Sequence, residues 1–213
     1  MEAKVYYKMK RSVTIIDYGM GNIWSVKSAL EYLGCNVIVS DDNEVIKDSK
    51  YLVLPGVGSF KKAMISLSKS KLDKAILDAT LKNQSKLLGI CLGMQLMGIK
   101  SFEDGETDGL GLISKKVEKL KETKQNIFKI PHIGFNSVKS GPNSILFKDL
   151  ADKSDFYFVH SYRMLSDGNG IEATAVNGEI FLAAYEKENI FATQFHPEKS
   201  QINGLTLLKN FLC

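Results

Sequence analysis

The stretch Leu87-Leu88-Gly89-Ile90-Cys91-Leu92-Gly93-Met94-Gln95 passes from a short apolar run to a helical pattern through a single cysteine. Glycines stand two residues before and two after it. A run of four apolar residues reads as a buried strand, and the spacing that follows reads as a helix. The glycines relieve crowding where the chain turns sharply, and such a turn holds its central side chain at the edge of a sheet. This is a nucleophile elbow with Cys91 in the nucleophile position. The helix points free N–H groups and its positive dipole end toward the sulfur, which favours the thiolate. The N–H of Leu92 is placed to meet an oxyanion.

Upstream, the same alternation repeats. Val13–Ile16 reads as a strand, and Ile23, Val26, Leu30 and Leu33 follow helical spacing up to the stop at Gly34. Asn36–Val39 and Tyr51–Leu54 are further strands, the second ending in Pro55-Gly56-Val57-Gly58; helical segments at about Phe60–Leu67 and Lys71–Asn83 follow. Strands separated by helices imply βαβ units and a parallel sheet, with loops 17–22, 55–59 and 91–95 on its carboxyl edge. Downstream, Leu112–Leu120, Asp155–His160, Ile171–Val176, and the pair Ile180–Tyr185 and Ile190–Phe195 across Glu186–Asn189 read as strands joined by turns. Leu205, Leu208, Lys209, Phe211 and Leu212 close the chain with a helical pattern. The expected fold is α/β, a mostly parallel central sheet flanked by helices with antiparallel additions. A single domain is expected over residues 12–213, after an N-terminal extension at 1–11 in which Met9 is a second possible start.

Composition narrows the function classes. With 213 residues, 44% hydrophobic and 24% charged, the chain is globular and long enough to bury roughly three-quarters of its unfolded surface. Three widely spaced cysteines, Cys35, Cys91 and Cys213, with no CxxC pair, argue against a disulfide framework or a zinc site and for a reducing cytoplasm. Val13–Ile16 is far shorter than the roughly 7–15 residues of a signal-peptide core. Leu87–Ile99 falls short of the roughly 20 residues of a membrane span. Only Arg11 and Arg163 are arginines among 28 basic residues, and the run Ser114–Lys124 is broken by Glu118 and Glu122. That pattern is a solvated face rather than a nucleic-acid site.

A cysteine nucleophile needs a base. His196 ends an apolar run in Gln194-Phe195-His196-Pro197-Glu198. In an extended segment residues two apart share a side, and Pro197 discourages helix, so Glu198 is expected to orient the His196 ring. Cys91, His196 and Glu198 then take the roles of nucleophile, base and orienter. His132 and His160 read as hydrogen-bonded structural residues, and no two histidines have the i, i+3 or i, i+4 spacing of metal ligands. Cys35 and Cys213 lack the elbow's setting.

Together these blocks resemble class I, triad-type glutamine amidotransferases, and within them the glutaminase subunits of imidazole glycerol phosphate synthase. The resemblance runs from about Ser12 to Cys213 and rests on DYGMGN (17–22), LPGVGSF (54–60), GICLGMQL (89–96), KIPHIGFN (129–136), YFVHSY (157–162) and TQFHPEKS (193–200). It implies hydrolysis of L-glutamine to glutamate with no cofactor, and delivery of ammonia to a separate cyclase subunit shaped as a (β/α)8 barrel, in histidine biosynthesis. It also implies an oxyanion site shared by Leu92 and Val57, and a pocket drawing on Gly56, Gly58, Gln95, Glu103, Ser161 and Tyr162. Asn22, His132, Phe135 and Lys199 fall in blocks that, by this resemblance, are expected to face the cyclase. Phe135 stands where the family commonly has Trp, which keeps open paralogues that supply ammonia for surface-sugar modification. A peptidase-like or non-catalytic protein sharing the elbow is the reading from a different class; FHPE argues against it.

Overall fold

The computed structural model describes residues 11–121 and 129–213. Of the expected extension at 1–11 only Arg11 is described, its Nη1 donating to the Tyr51 hydroxyl at 2.8 Å; Met9 and residues 122–124 of the lysine-rich run lie outside the described residues.

The chain runs through β1 (Ser12–Ile16), α1 (Ile23–Tyr32), β2 (Asn36–Ser40), α2 (Asn43–Asp48), β3 (Tyr51–Gly56), α3 (Phe60–Lys69), α4 (Leu72–Leu77), β4 (Lys86–Cys91) and α5 (Leu92–Leu96). It continues through β5 (Gly98–Ser101), β6 (Thr107–Asp108), β7 (Ile113–Lys119), β8 (His132–Lys139), β9 (Lys153–His160) and β10 (Tyr162–Arg163). Then come β11 (Ile171–Asn177), β12 (Glu179–Lys187), β13 (Ile190–Thr193) and α6 (Gln201–Phe211). Nine strands form one sheet in the order β2-β1-β3-β4-β13-β12-β11-β8-β9, and β10-β7-β5-β6 form a second. From β2 to β13 the large sheet is parallel; from β13 to β9 it is antiparallel. The antiparallel additions thus make up half of the pairings.

Parallel strands covered on both faces send alternate side chains into two cores. Val13 and Ile15 of β1, Val53 of β3, and Leu88 and Ile90 of β4 join α1 and α6 in one core. Ile16, Leu52, Leu54 and Leu87 point the other way, toward α3, α4 and the small sheet. The elbow lies where these layers meet. A Cβ on Gly93 would overlap the Leu54 carbonyl oxygen, so β3 and α5 touch backbone to backbone there. Gly93→Ala is therefore expected to destabilise the fold by more than about 3 kcal/mol, because neither backbone can give way; the shift in urea midpoint measures it.

Several elements depart from the sequence reading. Residues 71–83 split into α4 and a π-helical turn at Asp78–Lys82. The β12–β13 hairpin turns on two residues, Glu188 and Asn189, rather than four. β8 was not expected as a strand: its outward residues include Ile133 and Phe135 and only His132 and Val138 are buried, so its pattern lacks apolar alternation. α2 was also unread, although Asp42 caps it by accepting from the N–H groups of Glu44 (2.8 Å) and Val45 (3.2 Å). Arg163, one of the two arginines, is buried between Glu179 (2.9 Å) and Glu118 (3.2 Å), so its charge is spent inside the protein.

Candidate active site

Cys91 ends β4 with φ +56° and ψ −108°, a conformation that costs a non-glycine residue roughly 1–3 kcal/mol. The elbow geometry expected from GxCxG is present, but α5 has only five residues. The field at the sulfur thus comes from the free N–H groups of its first turn more than from a long dipole. Leu92 is the first residue of that turn. Cys91 is buried, and its Sγ lies 3.9 Å from the Val159 carbonyl and 3.7 Å from Nε2 of Gln194.

The base arrives from the neighbouring strand. β13 runs parallel to β4, with Thr193 beside Ile90, so the chain leaving β13 starts next to the elbow. The His196 backbone is clamped to β9: its N–H donates to the Tyr157 carbonyl at 2.9 Å, and its carbonyl accepts from Ser200 Oγ at 2.6 Å. Ser200 Oγ in turn accepts from Tyr157 N–H at 3.0 Å. Glu198 Oε1 accepts from His196 Nδ1 at 2.8 Å. The route to that contact differs from the extended segment expected. Pro197–Lys199 form a 3₁₀ turn with Pro197 at its first position, where a missing N–H costs nothing, and the turn folds Glu198 back onto the ring. Burial would lower the His196 pKa, but the neighbouring Cys91 sulfur and the hydrogen-bonded Glu198 carboxylate outweigh it and push the ring up to about 10.

A cavity of about 310 Å³ opens at this point, at the small end of the roughly 300–1,000 Å³ of small-molecule sites. Val57, Gly58, Cys91, Leu92, Gln95, Glu103, Ser161 and Tyr162 all line it, together with Pro131, Val159 and His160. Gly56 is not a lining residue. It is buried behind the wall, with the Tyr18 hydroxyl and Leu92 Cβ in the space a side chain would need. Burial holds the Tyr18 pKa well above the usual phenol range, with charge at Cys91 adding to it, and its hydroxyl donates to the Pro55 carbonyl at 2.8 Å. Glu103 accepts from Phe60 N–H at 2.8 Å, fastening the start of α3 to the cavity; burial raises its pKa against that bond.

The residues expected to face a partner divide. Phe135 is 52% exposed and packs edge-on to Tyr157, over which Lys199 Nζ lies 5.8 Å from the ring centroid. Asn22 precedes α1 and is half-buried. His132 is a correction: strand parity turns it inward, where it stacks on Phe158 and bonds to His160. Burial lowers its pKa. The sequence reading also missed Gln194 and Tyr18. Gln194 had a usable signal, an uncharged polar residue between the apolar run Phe191–Thr193 and Phe195, yet it is fully buried.

Among the described residues, no three His, Cys, Asp or Glu groups converge as a metal site, and no helix is long and apolar enough to cross a membrane.

Residues 14–213 match the family described as glutamine amidotransferase class-I. The chain is 43% identical over 203 residues to imidazole glycerol phosphate synthase subunit HisH 1 of Parasynechococcus marenigrum (strain WH8102), covering 94% of this chain and 96% of that one. It is 44% identical over 201 residues to the HisH subunit of Chlorobaculum tepidum, covering 93% and 98%. The structure of PurLQS from Thermotoga maritima superposes with a TM-score of 0.71 over 96% of this chain and 98% of that chain, at 18% identity, a likeness of fold. A strained cysteine elbow lining a cavity, with a buried His–Glu pair beside it, accords with these likenesses, and the chain belongs to the class I glutamine amidotransferases, in the family of HisH subunits of imidazole glycerol phosphate synthase.

Proposed function

We propose that this chain is the glutaminase subunit of imidazole glycerol phosphate synthase, acting in the cytoplasm as one amidotransferase domain over residues 12–213 and passing ammonia to a cyclase subunit with a (β/α)8 barrel. The observation that carries this reading is that Cys91 lines a cavity of amino-acid size while its sulfur acts on the buried His196 ring, which Glu198 holds at 2.8 Å. The similarity to HisH subunits of imidazole glycerol phosphate synthase supports the rest.

In this reading Cys91 Sγ attacks the side-chain carboxamide carbon of L-glutamine, and the new C–S bond leaves an oxyanion facing the N–H groups of Leu92 and Val57. His196, cationic at the start, gives its proton to the nitrogen; the C–N bond breaks and ammonia leaves a γ-glutamyl thioester. The thiolate charge has now gone, so His196 loses one of the two supports of its raised pKa and becomes a competent base. It takes a proton from water, which attacks the thioester carbon; the C–S bond breaks and glutamate departs. Glu103 faces the substrate's ammonium, and Gln95, Ser161 and Tyr162 supply polar contacts. Gly58, at φ +103°, gives the Val57 peptide freedom to reorient when the partner's site fills. Phe135, Lys199 and Asn22 meet the cyclase.

Co-expression with the cognate cyclase in a histidine auxotroph lacking this subunit tests the proposal. Growth without histidine is expected, together with glutamine-dependent formation of imidazole glycerol phosphate by the purified pair. A folded complex that fails at both overturns the histidine assignment.

A further inference from the structure

The Cys91 sulfur has a neighbour that the triad does not use. Gln194 is fully buried, and its Nε2 lies 3.7 Å from Cys91 Sγ while its Oε1 lies 3.0 Å from Gln95 Nε2. An amide side chain can turn over, exchanging its donor and acceptor, so the direction of these bonds must be established by what cannot turn over. The main-chain carbonyl of Tyr162 is that fixed point. A carbonyl only accepts, so the group of Gln95 lying 3.0 Å from it is Nε2, the donor. With Nε2 placed there, the atom of Gln194 opposite the same nitrogen is the acceptor, Oε1. That leaves Gln194 presenting N–H, not oxygen, to the sulfur.

The same carbonyl is held from its other side. His160 Nδ1 lies 2.9 Å from it and must donate, which makes His160 Nε2 an acceptor. His132 Nδ1, 3.0 Å from that nitrogen, therefore donates, and His132 Nε2 accepts from Asn136 Nδ2 at 3.3 Å. Asn136 has no freedom to reverse, since the same Nδ2 donates to the Val176 carbonyl at 2.8 Å. Burial first, then the neighbouring rings of His132 and His160's other neighbour His196, hold His160 down to about 3 against the opposing effect of the Tyr162 carbonyl, so the ring stays neutral and the chain keeps one direction. Both lone pairs of the Tyr162 carbonyl are occupied by donors that cannot reverse.

From this arrangement we infer that Gln194 is a positioning residue for the nucleophile: its amide N–H, aimed by the Tyr162 carbonyl through Gln95, holds the Cys91 sulfur as an acceptor and favours the thiolate. The inference rests on the reading of Cys91 as nucleophile. A hydrogen bond to a charged acceptor favours the charged form, and a buried amide turned the other way would oppose it.

The pH profile of Cys91 alkylation by iodoacetamide, followed by mass spectrometry of the Cys91 peptide in the full chain, reads the effect directly. Gln194→Glu replaces the donor with oxygen at nearly constant shape; the alkylation midpoint is expected to rise by about one pH unit or more. With the cyclase present, kcat for glutamine should fall at least about tenfold while KM changes less than about threefold, the signature of a group that acts on the nucleophile. Gln194→Met removes the donor without adding charge and decides the matter if the glutamate variant does not fold. In the unaltered chain, the Gln194 side-chain amide resonances should titrate with the Cys91 alkylation midpoint, and His160 should show the neutral Nδ1–H tautomer from pH 8 to about 5. An alkylation profile unchanged in a folded variant, or a Gln194 amide that ignores the thiol titration, overturns the inference. Should Cys91→Ala keep full glutaminase activity, the parent reading fails instead; an inactive Cys91→Ala beside unshifted Gln194 variants sinks this inference alone.

Discussion

Replacing Cys91 by alanine is expected to lower glutamine hydrolysis by about 10⁴–10⁶-fold, since removing the nucleophile leaves only the residual help of binding and oxyanion donors. The expected loss is in kcat. The cavity walls at Gln95, Glu103, Ser161 and Tyr162 are untouched, so glutamine should still protect the protein against thermal unfolding. A second substitution separates chemistry from fold. Cys91 sits at φ +56°, which strains alanine as much as cysteine but not glycine. Cys91→Gly is therefore expected to be as inactive as Cys91→Ala yet more stable than it by about 1 kcal/mol, measured from urea midpoints at equal m. An alanine variant within tenfold of the original rate would remove Cys91 from the mechanism.

The second large effect concerns the His196–Glu198 pair. Glu198 Oε1 accepts the Nδ1 proton of His196, which leaves Nε2 for Cys91 and supports the ring's charge. Glu198→Gln keeps the shape, but its amide can present N–H to Nδ1 and select the wrong tautomer. A fall of about 10²–10⁴ in kcat is expected, with KM little changed. The pH dependence of stability carries the same information. The ring's pKa is raised from 6.5 in the unfolded chain to about 10 in the native state. The native protein thus binds this proton more tightly, and the associated stability is fully present below about pH 6.5 and is lost as pH rises through 10. His160 acts with the opposite sign. Held neutral with a pKa of about 3, it contributes stability above 6.5 that is lost as pH falls toward 3. In Glu198→Gln the alkaline loss should shrink and shift to lower pH while the acid limb stays. Urea denaturation across pH 3–10 tests this, and an alkaline limb identical in the variant would show that Glu198 does not support the ring.

Much of this site is legible in local sequence because its parts are dictated locally. At Gly89 the requirement comes from the turn itself, since a Cβ there would stand 2.9 Å from the backbone of Gly93 and of Met94. The βαβ half is legible for a similar reason. Its strands are buried on both faces and spell continuous apolar runs, as at Val13–Ile16 and Leu87–Ile90. β8 resisted reading because half of its residues face outward and one of its two buried side chains is a histidine.

The reaction type is written in the residues alone: a cysteine at an elbow, a histidine and a glutamate close to each other in the chain, and the family blocks around them. The facing of the polar groups emerges only from the folded chain. Glu198 reaches His196 through a 3₁₀ turn rather than along a strand, His132 turns inward, and Gln194 presents a donor to the sulfur. Spacing along the chain reports which face of an element a residue occupies. Donor direction is imposed by partners far apart in sequence, here a single backbone carbonyl at Tyr162 that can only accept.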